Sequence, residues 1–225
     1  MIGASRCILA EMLGRTLVLL LLSAGPISAQ VGAIEGTVKL PPREPSKAGS
    51  TLTYPGQPER VEPAPKTPLP AVVFVKNGSD GRTFSPPRQP PRLVQRGAMF
   101  IPEVMAVAVG TTVEFPNLDD QYHNVFSYSK PKRFDLGRYP TGESRPVTFD
   151  KPGVVKIYCE IHEHMRAWVV VCENPFFAVT DEAGKFRIEN VPAGKHKLVL
   201  WRTNGRETEK EIEIVAGQAA TVDFE

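Results

Sequence analysis

Four residues stand at spacings that suit a metal: His123, and farther along the chain Cys159, His162 and Met165. The last three share one short stretch, Tyr158-Cys159-Glu160-Ile161-His162-Glu163-His164-Met165, and the first lies in Asp119-Asp120-Gln121-Tyr122-His123-Asn124-Val125. One thiolate, two imidazoles and a thioether form the donor set of mononuclear copper sites that pass electrons. In such sites two His and one Cys lie in a trigonal plane and Met binds weakly along the axis. Soft sulfur suits Cu(I), and imidazole suits both oxidation states. A single loop between two strands can supply three of the donors, with the first His coming from a neighbouring strand end. Ligands held this way rearrange little when an electron arrives or leaves. A catalytic zinc site fits less well, because Met is a poor zinc ligand and only Glu160 and Glu163 on the loop offer a base. The set leaves no open position with a base beside it, so no enzymatic turnover is expected.

The elements that must position these residues read as strands. With 22 prolines in 225 residues, long helices are disfavoured and an all-β fold is expected. Val31–Leu40 alternates like a strand, whereas 41–70 holds too many prolines for a ladder and reads as a surface loop. Ala71–Val75 is an apolar run fit for a buried strand, followed by the turn signals Asn77-Gly78 and Asp80-Gly81 and a second proline-rich bridge, Pro86–Pro91. Short strands then follow at Leu93–Arg96, Val104–Val109, Thr112–Pro116, Pro146–Phe149, Gly153–Cys159 and Ala167–Val171, with turn residues between them, as in a β-sandwich. The pattern restarts at Phe177–Thr180, Lys185–Ile188, Lys197–Trp201, Glu209–Val215 and Ala220–Phe224. This last unit is small for a stable core of its own.

The first thirty residues differ in kind. Arg6 and Arg15 precede an apolar run, Thr16–Leu22, and then the small residues Ile27-Ser28-Ala29, the layout of a secretory signal peptide cleaved after Ala29. The run is shorter than the roughly 20 residues of a membrane span, so no membrane insertion is expected after cleavage. Cys7 lies before that run and is not placed for lipid attachment. Periplasmic or secreted localisation follows. Lys and Arg total 27 against 25 Asp and Glu, a balance that offers nucleic acid no electrostatic footing. Export would ordinarily pair Cys159 with Cys172. The intervening strand, however, would hold them well beyond the ~7 Å Cα limit for a disulfide.

The segment His123-Asn124-Val125, the spacing Cys159-x-x-His162-x-x-Met165 and the strand–glycine–strand run Val107–Phe115 together resemble the cupredoxins, the blue copper proteins of amicyanin and plastocyanin type. The resemblance implies a Greek-key sandwich over about residues 88–173 holding one type 1 copper ion. It also implies that Asn124 hydrogen-bonds across to the loop carrying Cys159, and that the role is one-electron transfer between a redox donor and a redox acceptor. The chain departs from that pattern at Glu163 and His164, where the family carries an apolar docking rim. Three readings of this departure stand side by side: a solvated loop His164 without a role, a docking rim sensitive to pH and salt, and His164 as an alternative copper ligand.

Gly32-x-Ile34-x-Gly36-Thr-Val, Ala71–Val75, Ala178–Ile188 and Val191–Leu198 look like the carboxypeptidase regulatory-like domain, a small transthyretin-like sandwich. Its pieces flank the copper unit, so residues 30–80 with 174–225 are expected to form one discontinuous domain into which the cupredoxin is inserted. His196 is read as an exposed strand residue. The functional expectation is an exported electron carrier. A copper-holding or copper-delivery protein and a metal-free interaction module are the alternatives.

Overall fold

The computed structural model describes residues 30–43, 67–76, 84, 85 and 87–225. The expected signal segment 1–29 with Cys7, most of the proline-rich stretch 41–70, and the turn pairs Asn77-Gly78 and Asp80-Gly81 lie outside the described residues.

Every regular element among the described residues is a strand: β1 Val31–Thr37, β2 Val72–Lys76, β3 Val94–Arg96, β4 Met99–Ile101, β5 Val104–Ala108, β6 Thr111–Pro116, β7 His123–Ser129 and β8 Lys132–Tyr139. There follow β9 Ser144–Phe149, β10 Gly153–Tyr158, β11 Arg166–Cys172, β12 Phe177–Val179, β13 Lys185–Pro192, β14 Gly194–Trp201, β15 Glu207–Ile214 and β16 Ala219–Thr221. The all-β expectation holds. β4 and β8 have no counterpart among the strands expected from the sequence, and β7 was expected only as the strand end that carries His123. In β8 the charges Lys132, Arg133, Asp135 and Arg138 disguise an alternation whose Phe134 and Leu136 lean on the core.

The strands form two packed pairs of sheets. In the first pair, β5-β11-β10-β7-β8 make a five-stranded sheet, and facing it lie the ribbons β3-β4 and β6-β9, linked by bridges Arg92–Glu114 and Gln95–Asn117. Between them is a core that includes Leu93, Phe100, Phe115, Val125, Tyr139, Phe149, Ile157 and Val169, and both Cys159 and Met165 belong to it. In the second pair, the sheet β13-β1-β16 packs on β12-β2-β14-β15 around Ile34, Val73, Phe186, Leu198 and Ile214. Close packing there depends on Gly36, where a Cβ would stand 1.8 Å from the Val222 carbonyl oxygen. His196 is half-buried, and its Nε2 donates to the Pro192 carbonyl at 2.7 Å, so the exposed reading of it was wrong.

A third apolar cluster joins the two pairs. Alternate residues of β11 divide between the two cores: Ala167, Val169 and Val171 point into the first, while Trp168, Val170 and Cys172 point the other way. There they meet Val72, Phe74, Phe177 and Trp201 from the second pair, with Val104 and Ala106 of β5 alongside. This explains why β2, β5 and β11 read as nearly unbroken apolar runs, since each is covered on both faces. The Arg43–Glu103 ion pair, at 2.6 and 2.7 Å, fastens the segment after β1 to the β4–β5 turn across the same junction. Cys159 and Cys172 are both free; Cys172 ends β11, whereas Cys159 lies in the loop that follows β10.

Candidate metal centre

The β10–β11 hairpin pairs Tyr158 with Arg166, which leaves 159–165 as its closing loop. The loop is tied to itself: the Met165 amide donates to the His162 carbonyl at 3.0 Å, and the Cys159 amide reaches the Met165 carbonyl at 3.4 Å. Neighbouring β7 opens with His123, so the first His stands at a strand end beside this loop. Asn124 joins the two. Its Oδ1 accepts the Glu160 amide at 2.7 Å, and its Nδ2 donates to Asp135 at 2.9 Å.

His123 Nδ1, His162 Nδ1 and Cys159 Sγ make a triangle with sides of 3.2, 3.9 and 3.9 Å. A trigonal ion with metal–nitrogen bonds of about 2.0 Å and metal–sulfur bonds of about 2.3 Å would separate its donors by about 3.5 and 3.7 Å. The side chains therefore need to shift only by tenths of an ångström to receive one. These three form a group fit to hold a metal ion, with His123 and Cys159 buried and His162 half-buried. Met165 is 1% exposed within the core cluster that contains Cys159. His164, the alternative ligand, is exposed, stands outside the triad, and keeps its ring centroid 6.0 Å from that of His162. Partial desolvation by the loop around the ring and the neighbouring His162 hold its imidazole below the ordinary range.

Asp119, four residues before His123, is a part of the site that the sequence reading quoted without a role. Its Oδ2 accepts His123 Nε2 at 2.7 Å and the Ala98 amide at 2.9 Å, and its Oδ1 accepts the Gly97 amide at 2.5 Å. Gly97 and Ala98 form the β3–β4 turn with φ of 61° and 53°, and this left-handed backbone turns successive N–H groups towards one anion. The segment between Asp119 and His123 is pinned as well: Asn117 accepts the Asp119 amide and donates to the carbonyls of Gln121 and Tyr139. Burial opposes the charge on Asp119, but the two amides and His123 outweigh it and hold the carboxyl below its usual range. The contact fixes the His123 tautomer, leaving Nδ1 free as a donor atom.

Burial also opposes ionisation of Cys159, yet hydrogen bonds from His123 and His162 win and bring its thiol from 9.0 down to about 5. His123 moves the other way. Burial lowers its pKa, and contacts with Cys159 and Asp119 raise it further than that. Without metal, then, Cys159 is a thiolate at neutral pH. A thiol depressed in the folded state contributes stability that is whole above pH 9.0 and is lost as pH falls through about 5. The ultraviolet thiolate absorbance of the metal-free protein is expected to titrate with a midpoint near 5; a midpoint near 9 would contradict the contacts described. Cys172, by contrast, is pushed up to about 12 by burial and stays a thiol.

The fold and the site together define an all-β protein carrying a buried Cys and two His as a ready-made metal triad. Among solved structures, a copper-containing nitrite reductase from Thermus scotoductus SA-01 is 32% identical over 38% of this chain, with a TM-score of 0.37, and the match spans 23% of that enzyme's chain. Amicyanin from Paracoccus versutus is 18% identical over 44% of this chain and 96% of its own, with a TM-score of 0.35. A reduced amicyanin variant is 24% identical over 36% of this chain and 81% of its own, with a TM-score of 0.34. No protein-family model and no curated protein matches the chain.

Proposed function

We propose that the protein is an exported one-electron carrier in which His123, Cys159, His162 and Met165 would hold one type 1 copper ion. The observation that carries this reading is the donor triangle of 3.2, 3.9 and 3.9 Å, already close to the size a trigonal ion requires. Bound copper supplies a Cu(II)/Cu(I) couple at this position. The chain does the rest. Asp119 and the Asn117 network hold His123, Asn124 holds the Cys159 loop, and the apolar core excludes water from the buried donors. Ligands fixed from outside cannot relax towards the geometry either oxidation state prefers on its own, which keeps the cost of reorganisation low.

On this reading the donor and acceptor are other redox proteins, and the protein turns over no substrate. Residues 88–173 are the cupredoxin unit, inserted into a carboxypeptidase regulatory-like sandwich made of 30–80 and 174–225. Export by the N-terminal segment leaves a mature chain that starts at Gln30 and does not insert into the membrane. N-terminal sequencing of the secreted protein is expected to begin at Gln30.

Voltammetry of the copper-loaded protein tests the carrier. It predicts a reversible one-electron wave, with the ion retained when a Cu(I) chelator is added to the reduced form. Rapid loss of Cu(I) to the chelator would instead make this a delivery protein. Burial of His123 at 0% and Cys159 at 5% exposure favours retention.

A further inference from the structure

Strand β11 belongs to two cores at once. It follows directly on Met165, the last residue of the candidate metal loop, and its inward residues Ala167, Val169 and Val171 share a cluster with Cys159 and Met165. Its outward residues Trp168, Val170 and Cys172 share another with Val72 and Trp201 of the second sandwich. Val72 and Trp201 are themselves cross-strand partners on β2 and β14, and their chain neighbours Val73 and Leu200 point into the second core. Each apolar layer therefore rests on strands that also build the layer beside it. Val72, Val170, Cys172 and Trp201 are all 3% exposed or less.

The chain gives this junction no slack. Residues 173–176 alone separate β11 from β12, and they are pinned. Asn174 is fully buried, its Nδ2 donates to the Val75 carbonyl at 2.8 Å, and its Oδ1 accepts the Phe176 amide at 2.9 Å. The Val75 amide in turn donates to the Phe176 carbonyl at 2.9 Å, and the Phe176 side chain lies in the second core. The Arg43–Glu103 ion pair spans the same junction from the segment after β1. Units within one chain move independently when the surface between them is small and polar, but not when it is extensive and apolar. The second sandwich, small for a core of its own, gains most from such a contact.

We infer that the two sandwiches open as one cooperative unit, so that an ion held at the β10–β11 loop stabilises the second sandwich as much as the first. The inference rests on the metal-binding part of the proposed function and not on electron transfer. Whatever binds only the folded chain lowers the population of the open one by a factor of one plus the ratio of free ligand to Kd. That is about a hundredfold when free ligand is a hundred times Kd. In one cooperative unit the factor applies to every strand, β1 and β15 included. Metal occupancy then sets how often the second sandwich, which holds no donor of the triad, opens to proteases.

Native-state hydrogen exchange of the full chain tests this, in enough denaturant for whole-unit opening to dominate exchange. In the metal-free protein, Val72→Ala, which trims a second-sandwich side chain inside the junction, is expected to speed exchange by one common factor in β10, β11, β13 and β14. The two tryptophans, Trp168 and Trp201, both lie in the junction, so their emission is expected to shift over the denaturant range in which both cores lose protection. Cu(I) is then added, with binding checked in the same sample by the change in Cys159 thiolate absorbance. It is expected to slow exchange in β13 and β14 by the same factor as in β10 and β11, roughly hundredfold at a hundredfold excess over Kd. Slowing confined to the copper-side strands while the ion is bound would overturn the inference and leave the copper reading intact. Faster exchange in Val72→Ala confined to β2, β12, β14 and β15 would overturn it as well. A thiolate absorbance unmoved by Cu(I) would instead contradict the copper reading, and the Val72→Ala comparison then decides the cooperativity by itself.

Discussion

Cys159→Ser is expected to abolish the intense visible absorption of the copper-loaded protein and to leave a site that no longer keeps Cu(I). Cys159 is the only sulfur anion in the donor triangle, and its charge at neutral pH comes from His123 and His162 against the opposition of burial. A serine hydroxyl at this position is a hard, un-ionised oxygen. Two imidazoles remain, which suit Cu(II) but provide no soft anion for Cu(I). The loss of copper affinity should exceed the roughly ten- to hundredfold that removal of an outer hydrogen-bond partner costs. Copper quantitation after dialysis under reducing conditions, with an absorption spectrum before it, checks the point. Colour surviving in Cys159→Ser would mean that the thiolate is not a ligand.

The second large effect is expected at Asp119. This carboxylate accepts the Gly97 and Ala98 amides and His123 Nε2, so it is both a structural anion and the group behind the first His. Asp119→Asn keeps the size and one acceptor but removes the charge. Taking an anion from beside the site disfavours the more positive oxidised state, so the reduction potential rises, and Cu(II) affinity falls by roughly ten- to hundredfold. Asp119→Ala in addition orphans the two amides. Both are partly exposed, so the expected destabilisation is at the low end for such groups, about 1 kcal/mol each. Voltammetry and thermal unfolding separate the effects: a shifted potential with the smaller fall in Tm for Asn, which keeps one acceptor, and the larger fall in Tm for Ala, which keeps none. An unchanged potential in Asp119→Asn would show that the contact does not tune the site.

How much of this could be read from the sequence depended on how far apart the cooperating residues lie along the chain. Cys159, His162 and Met165 sit in one hairpin loop, so their meeting is a local matter, and Asn124 is adjacent to His123. The role of Asp119 was hidden because its other partners, Gly97 and Ala98, are brought to it by a turn in a different sheet. The i−4 acid before His123 was the one local signal available. Strand β8 was missed because solvent faces one side of it and supplies charges that mask Phe134 and Leu136. The junction between the two sandwiches was missed for the opposite reason. Runs such as Ala167–Val171 have both faces covered and carry no alternation to show what covers the second one.

Whether His123, Cys159 and His162 hold copper is decided by adding one equivalent of Cu(II) to the metal-free protein and recording visible absorption and electron paramagnetic resonance together. The expected result is an intense thiolate-to-copper band that saturates at one equivalent, with the narrow copper hyperfine splitting of a covalent Cu–thiolate bond. Only weak absorption with wide hyperfine splitting, or no bound copper at all, would contradict it.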